Sequence, residues 1–449
     1  NLYLRENMLV GEIPSSLANL PLFNLYLDRN SLTSTIPTVL GDITSLGLLY
    51  LHDNSLSGEV PTSFANLLQM SFLSLSNNGL RGRVEEAIPT SLSNIYMNSN
   101  MFTGGFPAVF LNCPGLVLLD IGRNSFEGKL PSAIQSMTSL KYVIAGSNRF
   151  TGDINDVFTD VDFVNQLIAI DLTENGFSGS LPDVLFSSQS LEVIALSKNC
   201  FVGQLTDSIC NAGNLTALSL SGLTAGEPCV IAYTSLGADF TTVDPLKGTI
   251  PACIFSLPRL ESVYIAGNGI EGELAGLPAN STMVNMSLAY NRLHGSIPMS
   301  VQRDNKLLSL NLAFNRFIGT VEELAIGSSN NVFLETNRLS GDLPRSLAAA
   351  TDVDILTGNI FQCLDRTAMP ENDPKVSNYI CGSETLDVYS FAYCGVFVVA
   401  AMIAYYGYLI VKKLTTRDEN KYPNFFEVLS DFAKISWKYL WYTEADIAH

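Results

Sequence analysis

Apolar residues return along this chain in one short phrase. Leu49, Leu51 and Leu56 alternate with polar residues around Asn54, and Gly58, Val60 and Pro61 follow. Relatives of the phrase run from Leu25 to Pro37, Leu119 to Pro131, Ile170 to Pro182 and Asn291 to Pro298. The asparagines fall at 7, 30, 54, 78, 100, 124, 148, 175 and 199, then at 268, 291, 315, 337 and 359. Within each series the gaps are 22 to 24 residues, with one of 27, a period that marks a repeat architecture. Alternating apolar positions predict a short strand with those side chains turned inward. The Asn amide, both donor and acceptor, can satisfy backbone groups where the strand ends. Glycine four residues later permits a tight bend, and proline opens the next segment at a fixed φ. One such unit cannot bury its own apolar face, so neighbours must stack into a curved solenoid.

Two places break the rhythm. Leu223 stands where the next asparagine is due, and the pattern restarts with Asp244 in the Asn role, ahead of Gly248 and Pro251. Residues 224–243 therefore read as an insertion leaving the solenoid. The chain also opens in mid-repeat at Asn1-Leu-Tyr-Leu, as expected of a fragment or mature remainder, because an uncapped first repeat would expose apolar surface.

Residues 388–411 carry no charge and are flanked by Asp387 and by Lys412 and Lys413. At ~1.5 Å per residue this run of 24 residues predicts one membrane-spanning helix. Lys412, Lys413 and Arg417 place the following tail, 412–449, on the cytoplasmic side, giving a single-pass type I topology. The tail is expected to be helical from about 424. Its Phe425, Phe432, Trp437 and Trp441 suit contact with the lipid bilayer or with a membrane protein partner.

Charge narrows the function. The net −18 arises entirely before residue 388, where 19 basic residues face 37 acidic ones. Such a surface argues against nucleic acid, which needs clustered Lys and Arg. Three histidines, His52, His294 and His449, lie far apart in sequence, so no catalytic set, metal site or cofactor is expected and the chain reads as a non-enzyme.

The phrase L-x-x-L-x-L-x-x-N-x-L-x-G-x-I-P resembles the plant-type leucine-rich repeat, over residues 1–362. That resemblance implies an α/β-type repeat solenoid, a horseshoe with a parallel β-sheet on its concave face, in addition to the one transmembrane helix and the short amphipathic tail helix. Cys363 and Cys381, just past the last repeat, resemble the disulfide-closed C-terminal cap of extracellular members, here 363–387. Cys200, Cys210, Cys229 and Cys253 allow three pairings; Cys210–Cys229 is preferred, because it would tie the insertion to its own repeat. Sequons at Asn214, Asn280 and Asn285 add to an extracellular or lumenal reading of the solenoid as a glycoprotein.

Four residues before each asparagine, the side chain points out of the concave sheet. Tyr3, Tyr26, Tyr50 and Tyr96 fill that column at the N-terminal end, broken by Ser74, with Asp28 and His52 beside them. The column is either a binding stripe or a stack that braces neighbouring repeats. As a whole the chain resembles the kinase-less receptor-like proteins of plants and algae. That implies a plasma-membrane protein whose solenoid binds a protein, peptide or glycan and which signals or assembles through partners. The alternative is a structural or adhesion subunit of a larger membrane complex.

Overall fold

The computed structural model describes residues 1–223, 229, 246–322, 324–325, 331–348, 350, 352–363, 369–381, 396, 400, 404–405 and 408. They divide into two compact units, Asn1–Gly382 and Ser383–His449. In the second unit Val396, Ala400, Ala404, Tyr405 and Tyr408 are helical and exposed. Among the described residues no helix is long and apolar enough to cross a membrane. Most of the expected span 388–411, and all of the tail with Phe425, Phe432, Trp437 and Trp441, lie outside the described residues.

The first unit is a solenoid. Fifteen short strands, from Leu2–Tyr3 to Asp352–Asp354, pair in parallel and strictly in chain order to form one face. A one-residue slip would turn Leu49 or Ile170 outward, so burial of these residues holds the register of Leu25 against Leu49 and of Val143 against Ile170. After the asparagines a second row of parallel strands runs along the side, two at Val10–Gly11 and Ser31–Leu32, eight from Ser57–Gly58 to Leu246–Lys247 and five from Glu271–Glu273 to Ile360–Gln362. Prolines then open short convex turns, as Pro37 does before Thr38–Asp42 and Pro131 before Ser132–Ser136.

What joins the repeats is the asparagine ladder. Asn148 Oδ1 accepts from Phe126 N at 3.0 Å, while its Nδ2 donates to Ile121 O, Ala145 O and Gly146 O. The same pattern recurs at Asn54, Asn124, Asn199 and Asn315. Each repeat that carries the asparagine thus satisfies the backbone of the one before it, in an interior where an unpaired amide is costly. Beside the ladder Phe102, Phe126, Phe150 and Phe177 stack at 6.2 Å from ring to ring, adding an aromatic spine to the leucine core.

The insertion sits between two strands of a single repeat. Strand Ala217–Ser219 pairs with Val193–Ala195 and Ser262–Tyr264, so the concave sheet is continuous across it. Leu246–Lys247 returns to pair with Cys200–Gln204 at the side. Residues 224–228 and 230–243, like Asp244, lie outside the described residues. Leu223 is buried and its side chain cannot supply a rung, but its N–H is taken by Asn268 Oδ1, which resumes the ladder.

The cysteines here pair differently from the expectation. Cys200 joins Cys229 and Cys210 joins Cys253, so Cys210–Cys229 does not form. Cys210 lies on the convex turn Asp207–Asn211, which packs against the next such turn, Ala252–Ser256, bearing Cys253. Cys229 lies instead beside the ladder, its Sγ 3.4 Å from Asn199 O. Spatial neighbours in a solenoid are one repeat apart, so Cys210 finds the equivalent turn of the following repeat rather than the insertion.

The C-terminal end is closed by substitution. Phe361 N, which in other repeats would bond the next asparagine, donates to Tyr379 Oη at 2.6 Å, and Tyr379 donates to Asn359 O. Asp373, buried, accepts from Ile355 N and Leu356 N. The disulfide Cys363–Cys381 ties this cap to the last repeat. Tyr379→Phe should cost about 1–2 kcal/mol, the loss of a part-buried pair of hydrogen bonds. Hydrogen exchange should show it as lost protection in Asp352–Asp354 and Ile360–Gln362; unchanged protection there would contradict the role given to the hydroxyl.

Candidate functional site

The concave face is built from outward positions of the parallel strands, and its two halves differ. At the N-terminal end Tyr3, Tyr26 and Tyr50 stack with ring centroids 4.7 and 4.5 Å apart. The stack does not stop at Ser74: Phe72, which sequence reading missed, follows Tyr50 at 4.5 Å and leads to Tyr96 at 5.4 Å. Phe72 stands two residues before the tyrosine column, on the same outward side of its strand by the two-residue period. Ring faces engaged with each other brace neighbouring repeats.

Beside the rings runs a comb of opposite charges. Arg29 bonds Glu6 at 2.6 Å and approaches Asp53 at 3.5 Å. Asp28 is 1% exposed and stands 3.5 Å from both Arg5 Nε and His52 Nε2, with no hydrogen bond to either oxygen. His52 Nδ1 meets Ser74 Oγ at 3.0 Å. Ser74, His52 and Asp28 are the residue types of a nucleophilic triad, yet Ser74 is buried in the sheet and the His52–Asp28 separation exceeds a hydrogen bond. This end of the face spends most of its polar groups on itself.

The middle of the face is open. Asn98, Asp120, Arg123, Ile144, Asp171 and Glu174 surround a recess of about 280 Å³ across the strands Leu118–Asp120, Tyr142–Ile144 and Ala169–Asp171. It exists because Gly122 and Gly146 occupy a row that carries Asn98 and Thr173 in the flanking repeats. A Cβ at Gly146 would stand 2.7 Å from Thr173 Oγ1 and 2.9 Å from Asp171 Oδ1.

Asp120 and Asp171 are each held through one oxygen. Asp120 Oδ1 accepts from Gly122 N at 3.1 Å; Asp171 Oδ1 accepts from Thr173 N at 2.9 Å and Thr173 Oγ1 at 2.7 Å. No hydrogen bond from the described residues reaches the second oxygen of either. Burial, and then the charge of Asp171, push Asp120 up to about 6, against the Gly122 N–H and Arg123, which favour its anion. Glu174 is lowered by its bonds to Lys198 and Ser147. Two glycines in successive repeats, each two residues before its asparagine, were the signal in the sequence for this recess.

The three sequons differ in access. Asn280 lies exposed in a turn, whereas Asn214 Nδ2 donates to Gln189 O and Asn285 Nδ2 to Ser262 Oγ from within strand Asn285–Ser287.

Comparison with known proteins agrees with this architecture. The Leucine Rich Repeat family model matches residues 45–67. Nothing among the curated proteins matches the chain. Among solved structures, the plant peptide hormone receptor RGFR1 in complex with RGF2 is similar, with 27% identity and a TM-score of 0.64, covering 83% of this chain and 57% of that one. The Arabidopsis receptor kinase HAESA, in complex with the peptide hormone IDA and the co-receptor SERK1, has 24% identity and a TM-score of 0.60, covering 83% and 63%. A TDR receptor has 22% identity and a TM-score of 0.62, covering 84% and 66%. The chain thus spans less than two thirds of the first two receptors and about two thirds of the third.

Proposed function

We propose that this leucine-rich-repeat solenoid is a ligand-binding ectodomain that takes an extended peptide or protein segment on its concave face, centred on the recess between Asp120 and Asp171. The observation that carries the reading is that recess: the N-terminal third of the face is occupied by its own ring stack and charge comb, while the middle offers depth and uncommitted acceptors. Similarity to receptors solved with peptide hormones supports the class of ligand. We further propose that the chain is a single-pass, cell-surface receptor-like protein acting through a membrane partner, because an uncharged run follows the cap of the solenoid. Binding energy outside the membrane would then favour one arrangement of helices within it.

Selection of random linear peptides displayed against the intact chain tests the reading. Peptides that bind the native chain should lose most of their affinity for Ile144→Arg, which puts a bulky charge on the floor of the recess. Equal binding to both chains would contradict it.

A further inference from the structure

The shape and donor set of the recess say what kind of group it takes. Asp120 and Asp171 stand on strands separated by the strand of Ile144, and adjacent strands are ~4.8 Å apart. Among the described residues no group of three or more metal-ligating side chains gathers around these two carboxylates. They suit a longer group with a polar feature at each end and an apolar stem between. Ile144, half-buried, supplies the apolar floor on which a methylene stem can lie.

The two ends are not equivalent. Asp171 is fixed in orientation by the backbone and hydroxyl of Thr173, and the missing Cβ of Gly146 is what lets these two side chains sit so close to the neighbouring repeat. Asp120 has one backbone donor and the exposed Arg123 acting on it. Glu174 is engaged with Ser147 and Lys198 and does not compete.

Resting on the concave-face reading above, we propose that the recess seats one basic side chain, arginine or lysine, of the ligand. Its cationic head bonds Asp171, its stem lies on Ile144, and a peptide N–H of the ligand reaches Asp120. A charge-assisted bond in a partly dry recess is stronger than the same bond in water, so the head carries most of the selectivity.

The test uses N-acetyl-arginine methylamide against the intact chain, with the Ile144 methyl signal as reporter, identified by Ile144→Val. N-acetyl-citrulline methylamide, equal in length but neutral, is the control. Arginine amide should shift the Ile144 signal saturably and citrulline amide should bind at least about tenfold more weakly. Asp171→Asn, which keeps the Thr173 acceptor, should weaken arginine amide by a similar factor, and Asp120→Asn by less. An Ile144 signal moved equally by both amides, or by neither, overturns the proposal, as does undiminished binding to Asp171→Asn. Display-selected peptides that depend on Ile144 but contain no basic residue would sink this inference and leave the concave-face reading standing. Arginine amide binding without any Ile144-dependent peptide would do the reverse.

Discussion

Asn148→Ala should destabilise the solenoid by about 2–4 kcal/mol. The substitution leaves Phe126 N without an acceptor and removes the shared donor of Ile121 O, Ala145 O and Gly146 O, all within the buried seam between two repeats. Each net hydrogen bond contributes about 1 kcal/mol, and a buried group left unpaired costs about 1–3 kcal/mol. Because a solenoid's stability is close to a sum over nearest-neighbour interfaces, the loss should be local. Hydrogen exchange should report it in Leu118–Asp120, Tyr142–Ile144 and Ala169–Asp171, while the repeats before Asn54 stay protected. Uniform loss along the chain, or none, would show that the ladder does not hold neighbours together. The molecule contains its own comparison at Leu223, where the rung is missing and Cys200–Cys229 fastens the chain next to the gap.

A second expected result runs the opposite way: Asp120→Asn should stabilise the chain at neutral pH. The folded-state value of Asp120 is raised from 3.8 to about 6, so ionisation is less favourable in the fold than in the unfolded chain. Below pH ~4 the carboxyl is protonated in both states and contributes nothing to the difference. As pH rises from there through 6 the native chain loses stability that the amide variant keeps. A two-unit shift corresponds to about 3 kcal/mol at most, and partial exposure of the recess reduces the expected gain to about 1–2 kcal/mol. Denaturant unfolding at pH 7.5 and pH 4 should show the gain at the higher pH and its disappearance at the lower. A gain of equal size at both would assign the effect to something other than the charge. Glu335, raised by burial and by Asp354 and Asp373, adds a smaller dependence of the same sign near the cap.

These two residues bracket what a sequence can and cannot disclose here. The ladder was legible because its chemistry is local: the same Asn at the same phase of every repeat performs the same task, and period alone locates it. Inward leucines and convex prolines follow from the same rhythm, whereas the Cys363–Cys381 cap was legible only through the resemblance to extracellular leucine-rich-repeat proteins. What was not legible depends on contacts between repeats. Tyr3, Tyr26, Tyr50 and Tyr96 stood out as a column, but whether their faces meet a ligand or each other required the ring separations, and Phe72 completes the stack from another outward position. Asp28 and His52, chosen for their outward positions beside that column, are brought together by the fold, but toward each other rather than outward. The recess was hidden for a different reason: it is made by two residues without side chains, and pattern reading weighs what is present. Cys210 was assigned to the wrong partner because sequence distance counts the insertion, which the solenoid does not.

The concave-face account is tested most directly by a hydrogen-exchange footprint of a display-selected peptide on the intact chain. Protection is expected at Leu118–Asp120, Tyr142–Ile144, Ala169–Asp171 and the turns that follow them, through Arg123, Ser147 and Glu174. Protection confined to the convex turns, such as Thr62–Asn66 and Ser132–Ser136, or to the side strands from Arg292–Ser296 onward, would contradict it.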